Sequence, residues 1–380
     1  MSTVAEQLIE VLHQAGVGRV YGVVGDSLNP FVDAIRRAES MQWIQVRNEE
    51  AGAFAAAAEA QLTGRLAVCA GSCGPGNTHL IQGLYDAHRS AGPVLAIASH
   101  IPTNQIGTSF FQETHPERLF VDCSHYCELV SQAAQMPRLA RVAIQHAVGR
   151  GGVAVLVIPG DILHHASEHP TGHSTPVTVR GTLVPTVEQL RELADRLNAA
   201  RTVTLFCGAG VRDAHAEVMA LADRLASPIG HSLRGKEWIQ FDNPYDVGMT
   251  GLLGYGACYD AMHEADLLLL GTDFPYDAFL PQRRTVQVDH DRSRLGRRTP
   301  LGGVCWLSFG EFTVHQHARC GSPLYGGVQA ESSRFCALPT QRNCDVSWWA
   351  ARDSNHGRSP QFREVTGEVE ECERSAGVWR

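Results

Sequence analysis

Residues 43–76 hold Trp43-Ile-Gln-Val46, then Arg47-Asn-Glu49-Glu50 and the alanine-rich run Ala51–Leu62, then Leu66-Ala-Val-Cys69 and the loop Gly71-Ser-Cys-Gly-Pro-Gly76. The first and third runs have the length of strands. The second has the length of a helix, and glycines punctuate the end of the third. Strand, crossover helix and strand in this order predict a βαβ unit, in which the strands are parallel and buried.

The alternation continues in both directions. Upstream, Thr3-Val-Ala-Glu6 is a capping-box candidate for a helix carrying Leu8, Ile9 and Leu12. Val20–Val24 reads as a short buried strand, and Ser27 or Asp26 is placed to cap a helix carrying Phe31, Val32 and Ile35. Downstream, a helix runs to about His88, and Pro93–Ala98, Tyr126–Val130 and Val153–Ile158 read as further buried strands. Residues 164–185 are rich in His, Thr, Pro and Gly without apolar periodicity and read as a linker. A second α/β unit follows, with a helix at Val187–Leu197, a strand at Val203–Phe206 and the turn Gly208-Ala-Gly210 before a helix past Arg212. Strand Leu267–Leu270 ends at Gly271-Thr-Asp-Phe-Pro275, and strand Thr285–Asp289 ends on a carboxylate. The predicted class is α/β: two doubly wound, mostly parallel-sheet domains over 1–163 and 186–301, followed by an atypical tail over 302–380.

In the last eighty residues Leu, Ile, Val and Met make up roughly one residue in seven, and neither Ile nor Met occurs. Yet this stretch holds four of the six tryptophans (Trp306, Trp348, Trp349, Trp379) and five cysteines. A disordered tail and a stretch read in a shifted frame after about Gly302 both fit the low apolar content. Disordered tails are depleted in Trp and Cys, so the shifted frame is the expectation.

Composition excludes several classes. A net charge of -8 argues against nucleic acid or an anionic membrane as partner. No apolar run is long enough to span a bilayer, and the start lacks the pattern of a signal peptide. The eleven cysteines therefore read as reduced thiols in a cytoplasmic protein. His164, His165, His169 and His173 read as a solvated linker rather than a metal site, and Cys123-Ser-His-Tyr-Cys127 has no second pair to make a zinc knuckle.

Two positions invite chemistry. Glu49 stands where a strand gives way to a helix, near the mouth of a ligand crevice, although helix starts favour carboxylates for their own sake. The 71–76 loop permits close backbone approach to a ligand but lacks dinucleotide-fingerprint spacing, and a structural tight turn explains it equally well.

Longer matches add to these. Glu49–Gly64, Gly71–Asn77, Phe111-Gln-Glu-Thr-His115 and Ser124–Val130 resemble the pyrimidine-binding domain of thiamine-diphosphate-dependent pyruvate oxidases and pyruvate:quinone oxidoreductases. Leu233–Glu237, Asp242–Gly251 and Gly271–Pro275 resemble the central domain of the same family, within the acetolactate synthase superfamily. The resemblance implies that Glu49 hydrogen-bonds the pyrimidine nitrogen of thiamine diphosphate, since a carboxyl removed from water holds a proton more readily. The resulting ylid attacks the keto carbon of pyruvate, and after decarboxylation electrons pass to a flavin and on to a quinone. It implies that Phe111 and Gln112 line the reacting centre, and that Asp26, Gly74, Gly76 and Asn77 serve the pyrimidine side. It assigns Met249, Thr250, Gly251, Leu252, Gly271, Thr272, Asp273, Phe274, Pro275 and Asp289 to FAD, and Cys73 to packing around the cofactor. Asn48 stands where the family commonly has histidine.

The family's Mg²⁺-anchoring Gly-Asp-Gly, followed some two dozen residues on by Asn, is absent; Gly25-Asp-Ser27 and Gly160-Asp-Ile162 are the nearest approaches. The resemblance implies a homodimer or homotetramer with sites shared between subunits. Members of that family associate peripherally with the membrane through a C-terminal segment not found here, so the expected location stays cytoplasmic. The expectation is a pyruvate-oxidising enzyme impaired by the missing metal anchor. An acetolactate-synthase-like carboligase and a non-catalytic FAD-binding remnant are the alternatives.

Overall fold

The computed structural model describes residues 2–167, 185–254, 256–274, 280, 285–301 and 303–306. The greater part of the linker, Pro275 and the tail from residue 307 lie outside these. The chain divides into two compact units, Met1–Gly181 and Thr182–Arg380.

The first unit runs α1 (Val4–Gln14), β1 (Arg19–Gly22), α2 (Asn29–Arg37), β2 (Gln42–Gln45), α3 (Glu49–Thr63), β3 (Ala67–Gly71) and α4 (Pro75–Arg89). It continues β4 (Val94–His100), α5 (Pro116–Leu119), β5 (Tyr126–Leu129), α6 (Met136–Arg150), β6 (Val153–Pro159) and α7 (Gly160–His164). Its sheet has the order β2-β1-β3-β4-β6-β5, and every pairing is parallel. Because side chains alternate along a strand, each buried strand feeds both faces. Val68, Ala70, Leu95, Ile97, Leu156 and Ile158 face a core built with α1, α2 and α6. Cys69, Ala96, Ala98, Val155 and Val157 face a second core built with α3 and α4.

Thr3 forms the expected capping box with Glu6 at the head of α1. Three readings are corrected. The run at Tyr126–Leu129, expected as a buried strand, forms the edge strand β5, whose residues are half-buried or exposed because it has a neighbour on one side only. β1 ends at Gly22, and Val24 is 51% exposed in the loop beyond it, so the buried strand is shorter than its apolar run. Neither Ser27 nor Asp26 caps α2: a 3₁₀ turn over Asp26–Leu28 precedes that helix. Ser27 Oγ instead accepts the Cys73 amide at 3.0 Å, so a tertiary partner outcompetes the local cap.

The second unit runs α8 (Val187–Ala199), β7 (Val203–Cys207), α9 (His215–Leu225), β8 (Ile229–His231), α10 (Lys236–Ile239) and β9 (Asp246–Met249). Then come α11 (Gly256–Glu264), β10 (Asp266–Leu270), β11 (Thr285–Asp289) and β12 (Gly303–Trp306). Its order is β12-β11-β10-β7-β8-β9, again parallel throughout. Leu205, Cys207, Leu268, Leu270 and Val288 pack towards α8 and α9, while Phe206, Leu267 and Leu269 pack with Cys258 and Met262 of α11. Strand β12 lies past the expected domain end at 301, because β11 offers its outer edge to one more parallel strand. Both units are thus α/β with helices on both faces of a parallel sheet.

Candidate functional site

Open parallel sheets bind ligands outside the carboxyl ends of their strands, where the winding direction reverses. In the first unit β2 is added on one side of β1 and β3 on the other, so the reversal falls between β1 and β3. The loops leaving these strands meet there. Ser27 and Ser72 pair through their hydroxyls at 3.0 Å, and Ser27 also takes the Cys73 amide.

Glu49 is brought to this point from the end of β2. Asn48 caps α3 by accepting the Glu50 amide at 2.9 Å, which leaves Glu49 as the first helical residue. Its side chain folds inwards and the residue is only 8% exposed. Oε2 lies 3.0 Å from His79 Nδ1 on α4. Oε1 lies where a Cβ on Gly76 would come within 3.0 Å, so the bare glycine makes room for the carboxylate. Gly76 and His79 are three residues apart on one helix, hence on one face.

Gln112 joins the same cluster. Gly74 has φ +68°, and a Cβ there would stand 2.8 Å from Gln112 Cβ, so a side chain at 74 would expel the glutamine. Gln112 Oε1 accepts the Cys73 thiol at 3.4 Å. Of the sequence-predicted residues, Glu49, Gly74, Gly76 and Gln112 therefore come together. Asp26 is exposed at the rim of the same loops, and Phe111, beside Gln112, is 77% exposed. Asn77 is turned inwards: fully buried, it donates to the Ser99 carbonyl at 2.7 Å, and its Oδ1 has no partner.

Two residues were missed. His79 carried a faint signal, its spacing from Gly76. His100, the last residue of β4, carried none: it is 2% exposed, its Nδ1 has no partner, and burial pushes its pKa down, favouring the neutral ring.

In the second unit the reversal falls between β7 and β10. Gly271, at φ +63°, lies so close to the Gly208–Gly210 turn that a Cβ on it would be 2.4 Å from Gly210 Cα. That turn was read only as a turn, yet it forms half of this junction. Thr272 Oγ1 accepts the Phe274 amide at 3.0 Å, and Phe274 packs edge-on against Phe206 at 4.7 Å. Asp273 receives Arg297 at 3.3 Å. Asp289 ends β11 at 1% exposure, with Oδ1 accepting the Asp291 amide at 2.9 Å and Oδ2 without a partner. Burial raises its pKa, outweighing the Asp291 amide and the nearby His290 and Arg294. Met249 closes β9, Thr250 is buried, Gly251 is half-buried and Leu252 is 77% exposed. Pro275 lies outside the described residues.

Residues 2–119 match the thiamine pyrophosphate enzyme N-terminal TPP binding domain, and residues 190–304 match the central domain of thiamine pyrophosphate enzymes. The chain belongs to the thiamine pyrophosphate enzyme family. An uncharacterized 42.6 kDa protein in the isoamylase 3' region of Pseudomonas amyloderamosa is 54% identical over 301 residues, 78% of this chain and 76% of that protein. The putative thiamine pyrophosphate-containing protein YdaP of Bacillus subtilis is 38% identical over 313 residues, 81% of this chain and 54% of its own. The pyruvate oxidase of Lactiplantibacillus plantarum is 33% identical over 299 residues, 77% of this chain and 50% of its own, and an Escherichia coli acetolactate synthase large subunit is 30% identical. The chain thus spans about half the length of the latter three.

The residues fit unequally the groups that the sequence resemblance implies. The buried Glu49 carboxylate would suit a protonatable ring nitrogen, and the unpartnered Asp289 oxygen would suit the hydroxyls of a ribose. A magnesium ion finds no such welcome among the described residues. No three His, Cys, Asp or Glu side chains are grouped to hold a metal there, and Asp161 is engaged by Thr103.

Proposed function

We propose that this chain carries the thiamine-binding and flavin-binding parts of a pyruvate-oxidising enzyme, converting pyruvate and water to acetate, CO₂, two protons and two electrons. The observation that carries the reading is the Glu49 carboxylate, buried at the β1/β3 reversal and held by His79, in a chain of the thiamine pyrophosphate enzyme family. Glu49 would hold a proton at the pyrimidine nitrogen, and His79 would fix which oxygen faces it. Gln112, gripped by Cys73 and Gly74, would present its amide NH₂ to substrate oxygen, with Phe111 beside it. Asp26, Gly74 and Gly76 would shape the surrounding wall, while Asn77, turned inwards, would anchor the start of α4 behind it through the Ser99 carbonyl. When bound, thiamine diphosphate supplies the electron sink that cleavage beside a keto group needs.

In the second unit, Gly271–Phe274, Met249–Leu252 and Asp289 would hold FAD, with Pro275 assigned on sequence alone. When bound, the flavin supplies a two-electron acceptor, and a quinone is the acceptor beyond it. Domains at 1–163 and 186–301, a homo-oligomer and a cytoplasmic location belong to the same reading. Magnesium belongs to the same reading as a cofactor, although the described residues offer it no group of ligands.

A second reading is an acetolactate-synthase-like carboligase, which the 30% identity to acetolactate synthases favours. Calorimetric titration with thiamine diphosphate and Mg²⁺ tests the shared part: Glu49→Gln is expected to weaken binding about tenfold, the loss of one hydrogen bond to a charged group. Unchanged binding would remove Glu49 from the site. Pyruvate-dependent reduction of an artificial quinone, set against colorimetric detection of acetolactate, separates oxidation from carboligation.

A further inference from the structure

The segment from Gly107 to Glu113 turns an unusually tight corner. Gly107, Ser109 and Gln112 all have positive φ, at +87°, +60° and +65°. Ser109 and Gln112 have side chains, so each pays for a conformation that glycine adopts freely. Such strain persists only where the surroundings over-determine it. One side chain does so here. Glu113 Oε1 accepts the Gly107 amide at 2.5 Å, Oε2 accepts the Phe110 amide at 3.1 Å, and the Glu113 amide donates to the Phe110 carbonyl at 2.9 Å.

We propose that Glu113 is a positioning residue, whose carboxylate clasps the 107–110 backbone and so holds Gln112 over the Gly74 loop. A carboxylate is suited to this because its two oxygens accept from two amides at once. The Gly107 amide, followed by those of Ser109 and Phe110, holds the Glu113 carboxyl below its usual range, so the clasp is charged and charge-assisted. The strained residue immediately before it, Gln112, then closes on the Cys73 thiol and on Gly74. That Gln112 faces a reacting centre rests on the function proposed above. That Glu113 holds Gln112 in place does not.

The thiol beneath Gln112 reports on the corner without any need for turnover. Cys73 is 7% exposed, and local opening of its cover governs reaction with an alkylating reagent. In the full-length chain, peptide mapping by mass spectrometry separates Cys73 from the other ten cysteines. Glu113→Gln keeps the side-chain volume but replaces one acceptor with an amide NH₂. It is expected to speed Cys73 labelling about tenfold, as loss of one charged hydrogen bond predicts, and Glu113→Ala more so. Gln112→Ala, which strips the cover directly, sets the upper limit. Wild-type labelling in Glu113→Gln would reduce Glu113 to a packing role and overturn the proposal, even if Glu113→Ala labels fast. Fast labelling of the wild type would overturn it too, by showing that no cover exists. Protection of Cys73 by thiamine diphosphate tests the cofactor reading separately, since the clasp requires none.

Discussion

Glu49 opens the helix that follows β2 and Asp289 closes β11; both carboxylates are buried, but they are satisfied to different degrees. Glu49 has His79 against one oxygen. Removing that partner in His79→Ala is expected to weaken thiamine diphosphate binding by a few-fold to tenfold, because the carboxylate loses its fixed orientation. Calorimetry reads this, and unchanged affinity would leave His79 a bystander. Asp289 keeps one oxygen unpartnered, which costs stability. Its folded-state pKa lies above the unfolded value, so the folded chain binds this proton more tightly. The penalty is therefore absent in acid, grows as pH rises from about 4, and is complete above the folded pKa. Asp289→Asn retains an acceptor for the Asp291 amide, so it is expected to raise the melting temperature at neutral pH and flatten that decline. A fall in melting temperature would contradict this. At this scale the sequence was only half legible. Glu49, which opens the helix after β2, was singled out mainly by the family resemblance, and Asp289 also by its place at a strand end, whereas Ser27 was misread as a cap since its amide partner lies 46 residues away.

Helices α3 and α4 set the spacing of the candidate site, one bringing Glu49 and the other Gly76 and His79. They approach closely because small residues face each other: Ala53, Ala56, Ala57 and Ala60 on α3, Gly83 and Ala87 on α4. A Cβ on Gly83 would meet Ala53 Cβ and the Phe54 nitrogen at 2.5 Å. Gly83→Ala is accordingly expected to cost ~1–3 kcal/mol by overpacking, despite alanine's better helix propensity. Chemical denaturation measures that cost, and a stabilised variant would show that the helices separate freely. Strongly apolar elements were the legible ones: β4, β6 and β7 are buried throughout and β10 is buried from Leu267 onwards, as central parallel strands require. The strands β8 and β9 were not seen because a glycine interrupts each and leaves only one or two large apolar residues, and β12 was missed because its residues were assigned to the tail.

Each unit has its own sheet and its own pair of cores, and no helix among the described residues is long and apolar enough to cross a membrane. On the proposed reading each unit binds its own ligand, and binding stabilises the folded form by about 2.7 kcal/mol at a hundredfold excess over Kd. Scanning calorimetry of the chain is thus expected to show separable transitions, with thiamine diphosphate raising one and FAD the other. A single transition moved equally by both would contradict independent sites. The order of the strands also amounts to a timetable for synthesis at the ribosome. In the second sheet every strand after β7 settles beside one already made. The first sheet breaks that rule once: β5 pairs only with β6, which emerges later. A nascent chain paused between Leu129 and Val153 would carry a strand with nowhere to dock. That interval is where a growing chain would most need a chaperone.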